Sequence, residues 1–363
     1  MEISVVGIDI GKTIFHLVGV DQQGAITVKK KFSRTQLLTF LANVPVRLIG
    51  MEACSGAHFL ARTLMAQGHQ VRMMPAQYVR PYVKTNKNDF IDAEAIAEAV
   101  QRPNRRFVPL KTHEQLDLQV VHRVRERWMS RRTPLINQIR ALLLERGIPV
   151  PRGPESLRQV LPEILADAEN SLSGMLRALI SDFQDEWKCL ELKINKTNEQ
   201  ISKVARADES CQRLLEVPGI GSLTASALIA AIGDGSEFRK ARDLGAWLGL
   251  VPRQFSTGGK QRLLGISKSE NNYLRQLFVH GARAVFDRMH RDRHAFGPWP
   301  TQLEIRKKRS TTIVALANKL ARIAWAVLTT EQPYRGAHCS PPLRLDTSMR
   351  AWMTEPQPAA LRA

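Results

Sequence analysis

The sequence predicts an α/β domain at its start and a mostly helical remainder. Three observations carry that expectation. Strand and helix signals alternate over the first ~110 residues. From Lys111 the pattern turns helical and basic. From Cys211 a second globular unit begins, built of small-residue helices punctuated by glycine.

Ile3 to Ile10 is a β-branched run, and Thr13 to Val20 is a second. Asp21-Gln22-Gln23-Gly24 supplies a turn into a third strand, Ala25 to Phe32. The three form a meander in which Asp9 closes the first strand. Ser33 is placed to N-cap a helix that runs to about Ala42. Val46 to Met51 is the next strand, ending at Glu52. A helix from Gly56 to Gln67, a strand from Gln70 to Met74 and a helix near Ala76 to Val83 follow. Asn88 to Val100 then reads as a helix. Strands alternating with helices after a meander predict a mixed sheet flanked by helices.

Between Arg102 and Arg146 eleven Lys/Arg stand against four Asp/Glu, a local net charge of 11 − 4 = +7. Gly147 to Pro154 breaks that helical pattern. From Ser171 to Arg206, apolar residues recur at Leu176, Leu179, Ile180, Phe183, Trp187, Leu190, Ile194 and Ile201. That spacing suits one stripe of a helix pair or coiled coil, formed with another copy or by folding back. The two segments are expected to form an extended connector. Residues after Arg335 are Pro-rich and weakly patterned, which predicts a disordered tail.

Charge narrows the partner. The 363 residues hold 53 Lys and Arg against 34 Asp and Glu, a formal net charge of +19, so a polyanion comes first. Hydrophobic residues at 44% suffice for real cores and exclude a wholly disordered chain. Aromatic residues at 6% argue against a single-strand binder working by base stacking. The opening MEISVVGIDI lacks the basic start of a signal peptide. The apolar stretch Thr311 to Thr330 contains Asn318, Lys319 and Arg322, so it reads as a packed helix and no membrane partner is expected. Cys54, Cys189, Cys211 and Cys339 show no C-x-x-C spacing, which fits reduced thiols in a cytoplasmic protein without a thiolate metal site.

Four carboxylates fall at strand ends or a helix start. Asp9 lies where GIDIGK leaves the first strand, and Glu52 where RLIGME leaves the fourth. Asp89 and Asp92, three apart, share one face of the helix in NDFIDAEAIAEA. Active sites of open α/β sheets collect beyond the carboxyl ends of strands. Carboxylates converging there make an oxygen-rich site suited to Mg²⁺, and a pair of such ions can stabilise both oxygens of a phosphodiester displacement. Each carboxylate also has a plainer role open to it. Asp89 can N-cap its helix with Asp92 at the third position, and Glu52 can be a helix-entry carboxylate. Asp9 is harder to dismiss, because a carboxylate in an apolar run costs desolvation energy unless it has a partner.

The second unit opens with LLEVPGIGSLTASALIAAIGD, in which Val217-Pro218-Gly219-Ile220-Gly221 precedes a small-residue helix. The pattern looks like a helix-hairpin-helix whose turn, at Gly219 and Gly221, can present N–H groups to a phosphate. A tight helix–helix turn without a ligand is the alternative. Further on, Ser256-Thr257-Gly258-Gly259-Lys260 reads as a flexible, hydroxyl-bearing loop between helices. Arg123, Arg125, Arg127, Arg131 and Arg132 form a basic helix face, and Arg306 to Arg309 a second basic run, favoured as phosphate contacts over plain solvation.

With these motifs in order, the sequence resembles the DEDD-type IS one-ten family of insertion-sequence transposases. Asp9, Glu52, Asp89 and Asp92 match the DEDD signature, and the VPGIG and GLVPRQFSTGGK…GISK segments match the C-terminal domain. The resemblance covers roughly residues 3–335, and the STGGK form points to the IS eleven-eleven subgroup. It implies a RuvC-like (RNase H-like) catalytic domain over 1–110, with the four carboxylates holding Mg²⁺ or Mn²⁺. It further implies a helical coiled-coil connector over 111–206, a C-terminal transposase domain with a serine nucleophile over 207–335, and a tail over 336–363.

Members form a covalent phosphoserine link to DNA and assemble as tetramers of two dimers, one protomer's serine meeting another's carboxylates. A structured non-coding guide RNA, the bridge RNA, pairs with donor and target DNA. The implied location is the bacterial cytoplasm, at the nucleoid. One departure is informative. The family pattern has Ser directly before Gly, whereas here Thr257 precedes Gly258 and Ser256 stands one residue earlier. Ser256 is the expected nucleophile because its unbranched side chain is less hindered, with Thr257 as the alternative. The candidate nucleic-acid contacts are Gly219, Gly221, Lys260, Lys268, Arg123, Arg127 and Arg131. Two other functions fit the residues: a metal-dependent Holliday-junction-type resolvase using activated water, and a non-enzymatic nucleic-acid-binding protein.

Overall fold

The computed structural model describes residues 3–84, 88–103, 106–269, 271–288 and 296–335, so the expected tail over 336–363 and Cys339 lie outside the described residues. The chain forms two compact units, Met1–His113 and Glu114–Ala363.

The first unit is built on a five-stranded mixed sheet. In chain order its elements are β1 (Val5–Ile10), β2 (Ile14–Val20), β3 (Ile26–Ser33), α1 (Arg34–Ala42), β4 (Leu48–Glu52), α2 (Ala57–Ala66), β5 (Val71–Met74), α3 (Ala76–Val79) and α4 (Asp89–Ala99). A single 3₁₀ turn, Arg80–Tyr82, follows α3. The sheet order is β3-β2-β1-β4-β5. The β1–β2–β3 meander is antiparallel, whereas β4 and β5 add in parallel through crossovers. Ser33 caps α1 as expected, in a capping box with Gln36.

Side-chain alternation sorts each strand onto two faces. Val6, Ile8, Phe15, Leu17, Ile49 and Met51 pack against Leu37, Leu41, Leu60 and Leu64 of α1 and α2. Val5, Val18, Val20, Leu48 and Met74 face the other way, onto Ala93, Ile96, Ala97 and Val100 at α4. The register partners Gly7 and Gly50 let α4 press close on that second face. A Cβ on Gly7 would lie 2.1 Å from the Ala93 carbonyl oxygen, and one on Gly50 would lie 2.8 Å from Val100 Cβ.

The second unit begins with two long helices, α5 (His113–Leu144) and α7 (Gly174–Ala207), with α6 (Pro154–Ala166) between them. The sequence reading has only a break at Gly147 to Pro154, because prolines mask α6. Pro154 is in fact its first residue, where a missing N–H costs nothing, and Pro162 lies inside it. Ile180, Trp187 and Leu190 of the α7 stripe bury against Leu135, Ile139 and Leu143 of α5 and Leu157 and Leu161 of α6. Arg132–Glu191, Arg131–Glu186 and the Arg125–Asn198 hydrogen bond link α5 to α7 in antiparallel order. The stripe thus folds back on its own chain, and the expected extended connector carries a core.

The rest comprises α8 (Glu209–Leu215), α9 (Ser222–Ile232), α10 (Ala241–Trp247), β6 (Pro252–Thr257), β7 (Lys260–Ile266), α11 (Asn272–Arg288), α12 (Trp299–Arg306) and α13 (Arg309–Thr330). Leu214, Leu228, Leu244, Phe278, Leu316 and Leu320 form its core. By length and hydropathy α13 could cross a membrane, but it packs into this core, where Ile313, Ala317, Asn318, Ala321 and Leu328 are buried.

Candidate functional site

The four carboxylates lie on the α4 face of the sheet, where Asp9 and Asp89 come within ligand-sharing distance of each other and Glu52 and Asp92 stand outside that closest set. Asp9 shares strand parity with Val5 and Gly7, and Glu52 with Leu48 and Gly50, so both point toward α4. On α4, Ala93, Ile96 and Ala97 turn to the sheet, and Asp89 and Asp92 continue that stripe at its N-terminal end. The plainer role open to Asp89 is not the one observed, because Asn88 is the N-cap and accepts from the Phe90 N–H. Both aspartates therefore lie in the first turn, where the helix dipole favours negative charge.

Burial pushes the Glu52 carboxyl above its usual range, and the charges of Asp9 and Asp92 push it further. Like charges gathered on one face in this way repel unless a cation joins them. An oxygen-rich donor set of this kind fits a divalent ion.

One residue here is absent from the sequence reading. His16 is the register partner of Asp9 across β1 and β2. Its Nδ1 lies 3.6 Å from Asp89 Oδ2, and one ligand atom each from Asp9, His16 and Asp89 lies within 4.8 Å of the others. The Phe90 ring meets the imidazole edge-on at 4.7 Å. The only prior signal is a polar residue in the apolar run IFHLVGV, and it becomes legible through strand register alone.

In the second unit, the STGGK stretch is not a loop between helices. It is the tip of an exposed two-stranded hairpin, β6–β7. Gly258 and Gly259 have φ of +56° and +76°, the two left-handed residues that a type I′ turn demands. Cross-strand pairing sets Thr257 opposite Lys260 and Phe255 opposite Arg262, while Ser256 is opposite Gln261. One face therefore carries Thr257 with two cations, and the other carries Ser256 with glutamines. Gln254 Nε2 donates to Ser256 Oγ at 2.9 Å.

The expected nucleic-acid contacts divide. Gly219 has φ +90°, and a Cβ there would strike Val285 and the Gly281 carbonyl, so packing against α11 explains the glycine. Gly221 is exposed at the N-cap of α9, with open space beside it. Arg123 and Arg127 are exposed on α5, whereas Arg131 pairs with Glu186 at 2.9 Å. Lys260 is exposed at the hairpin tip, and Lys268 follows β7 with φ +53°.

Comparison with known proteins adds the following. A family model described as "Transposase IS116/IS110/IS902 family" matches residues 211–297. A DEDD-type IS110 model described as "Transposase" matches residues 6–147. The chain is 44% identical to a "Probable family 20 transposase" of Pseudomonas aeruginosa, over 92% of this chain and 99% of that one. It is 42% identical to the "Transposase for insertion sequence element IS1328" of Yersinia enterocolitica, over 90% of this chain and 97% of that one. It is 41% identical to the "Transposase for insertion sequence element IS1111A" of Coxiella burnetii, over 92% of each.

Proposed function

The chain belongs to the IS116/IS110/IS902 family of insertion-sequence transposases, and from that premise we propose that it exchanges DNA strands through a covalent protein–DNA intermediate. The observation that carries the reading is the convergence of Asp9, Glu52 and Asp92, joined by Asp89, on the α4 face. In the proposal residues 1–110 are a RuvC-like catalytic domain, 111–206 a helical connector and 207–335 the domain that supplies the nucleophile. The four carboxylates hold Mg²⁺ or Mn²⁺. A divalent ion there supplies Lewis-acid polarisation of the scissile phosphate and charge neutralisation in the transition state.

The hairpin supplies the hydroxyl. Ser256 Oγ forms a bond to phosphorus, the bond from phosphorus to the sugar oxygen breaks, and that leaving oxygen takes up a proton to balance the one the serine loses. One phosphoester bond forms as one breaks, so rejoining needs no ATP. A second reading, with Thr257 as the nucleophile, draws support from its place on the hairpin face that carries Lys260 and Arg262, where a phosphate is attracted. The protein acts on the DNA of the bacterial nucleoid, in the cytoplasm, as a tetramer of two dimers. Within that tetramer one protomer's hairpin meets another's carboxylates. Sequence is read by a structured guide RNA that pairs with donor and target, while the basic faces hold backbones.

The test is adduct trapping on DNA substrates with the co-purified RNA. Wild type should give a protein–DNA adduct, and Asp9→Ala none, with nucleic-acid binding retained. Ser256→Ala and Thr257→Ala, made separately, identify the nucleophile by which one loses the adduct. Cleavage by wild type with no adduct at any time would sink the covalent mechanism in favour of a water-using resolvase.

A further inference from the structure

We infer that His16 is a nitrogen ligand of the divalent ion at Asp9 and Asp89, which makes this centre a mixed carboxylate–imidazole site that selects Mn²⁺ over Mg²⁺. The inference deepens the metal reading above and rests on it. His16 lies on the α4 face of β2, at the parity that Val18 and Val20 use to fill core. An imidazole in that row costs desolvation energy unless its nitrogens are used. Its Nδ1 is buried and has no hydrogen-bond partner among the described residues. Asp89 Oδ2 at 3.6 Å is too far for a hydrogen bond, though it lies on the same side.

The spacing suits a shared ion instead. Two ligands each about 2.1 Å from one ion stand no more than about 4.2 Å apart. The Asp9, His16 and Asp89 donors already lie within 4.8 Å of one another, so closing on an ion takes about half an ångström. Phe90 packs edge-on against the ring and restricts its rotation. Donor chemistry then chooses the ion. Mg²⁺ is held through carboxylates, phosphates and water, and rarely by imidazole. Mn²⁺ keeps the same preference for oxygen and accepts histidine, as in the di-manganese carboxylate proteins.

The experiment uses the full chain, with any histidine tag removed, loaded with Mn²⁺. Pulsed EPR should show a directly coordinated nitrogen on Mn²⁺ in wild type, lost in both His16→Ala and His16→Gln. Mn²⁺ affinity should fall at least ~10-fold in the variants, with Mg²⁺ affinity nearly unchanged. Mn²⁺ bound in wild type without nitrogen coupling, or coupling that survives in both variants, overturns the assignment of His16. Asp9→Ala separates the two levels. If ion binding is lost in Asp9→Ala but no nitrogen is seen in wild type, only the His16 inference fails. If neither ion binds wild type, or Asp9→Ala binds as wild type does, the carboxylate site itself fails.

Discussion

Gly7 and Gly50 stand opposite each other on β1 and β4, and α4 rests on both. Two residues further along the same strands are Asp9 and Glu52. The missing side chains set the height of the helix over the sheet, and that height brings Asp89 and Asp92 to the other carboxylates. Fold and site are coupled through these two glycines, most tightly at Gly7, where a Cβ would meet backbone.

Gly7→Ala should therefore uncouple them. The new Cβ would meet backbone at Ala93 and Ala97, which cannot rotate away, so α4 must lift. Overpacking of this kind costs about 1–3 kcal/mol. Divalent-ion affinity should fall along with stability. Gly50→Ala meets only the Val100 side chain and should be milder in both. Calorimetric titration with Mn²⁺ beside thermal unfolding checks the order.

Acid should weaken the second unit through His122. Ser226 Oγ donates to the Ser222 carbonyl, so its one proton is committed. His122 Nε2 must then donate to Ser226 Oγ, and Nδ1 accepts from Tyr273 Oη at 3.0 Å. Burial, with the Arg125 charge, pulls His122 down to about 4. A depressed value means that the unfolded chain binds the extra proton. The contribution is thus full above about pH 6.5 and lost as pH falls toward about 4, at most about 3 kcal/mol. His122→Gln should flatten that limb. Tryptophan fluorescence reads this unit cleanly, since all six tryptophans lie beyond residue 113.

The sheet was legible in the sequence because β-branched runs and turn residues report backbone directly, and Asn88 to Val100 read as a helix, though its cap is Asn88 and not Asp89. The carboxylates were legible because acids at strand ends are costly. His16 was not, since nothing within β2 says which residue of β1 it will face. The β6–β7 hairpin was missed for a related reason. Its strands are exposed on both faces and lack the apolar alternation that marks a half-buried strand, so only Gly258 and Gly259 carried the signal.

Arg275 holds the root of that hairpin. The residue is 8% exposed; Nη1 donates to the carbonyls of Leu248 and Ser269, and Nη2 to Asn272 Oδ1. Leu248 precedes β6 and Ser269 follows β7, so one side chain ties both ends. Arg275→Ala leaves two carbonyls unpaired and should cost about 2–4 kcal/mol. Limited proteolysis should cut near Arg262 first in this variant. Arg275→Lys should recover only part, because an ammonium cannot reproduce the fork.

Salt dependence separates the arginines that hold nucleic acid from those that hold the fold. Each phosphate neutralised adds about 0.7–0.9 to the slope of log affinity against log salt. Arg123 and Arg127 are exposed, while Arg131 is engaged with Glu186 and Arg132 with Glu191. Removing both exposed charges, Arg123→Gln with Arg127→Gln, should reduce the slope by about 1.4–1.8 and leave unfolding unchanged. Arg132→Gln should do the reverse, because it breaks a half-buried link between α5 and α7. Its cost falls on stability, with the slope intact. Equal slopes for the double variant and wild type, measured on the same RNA from low to high salt, would remove α5 from the nucleic-acid surface and leave its charges to the helix pair alone.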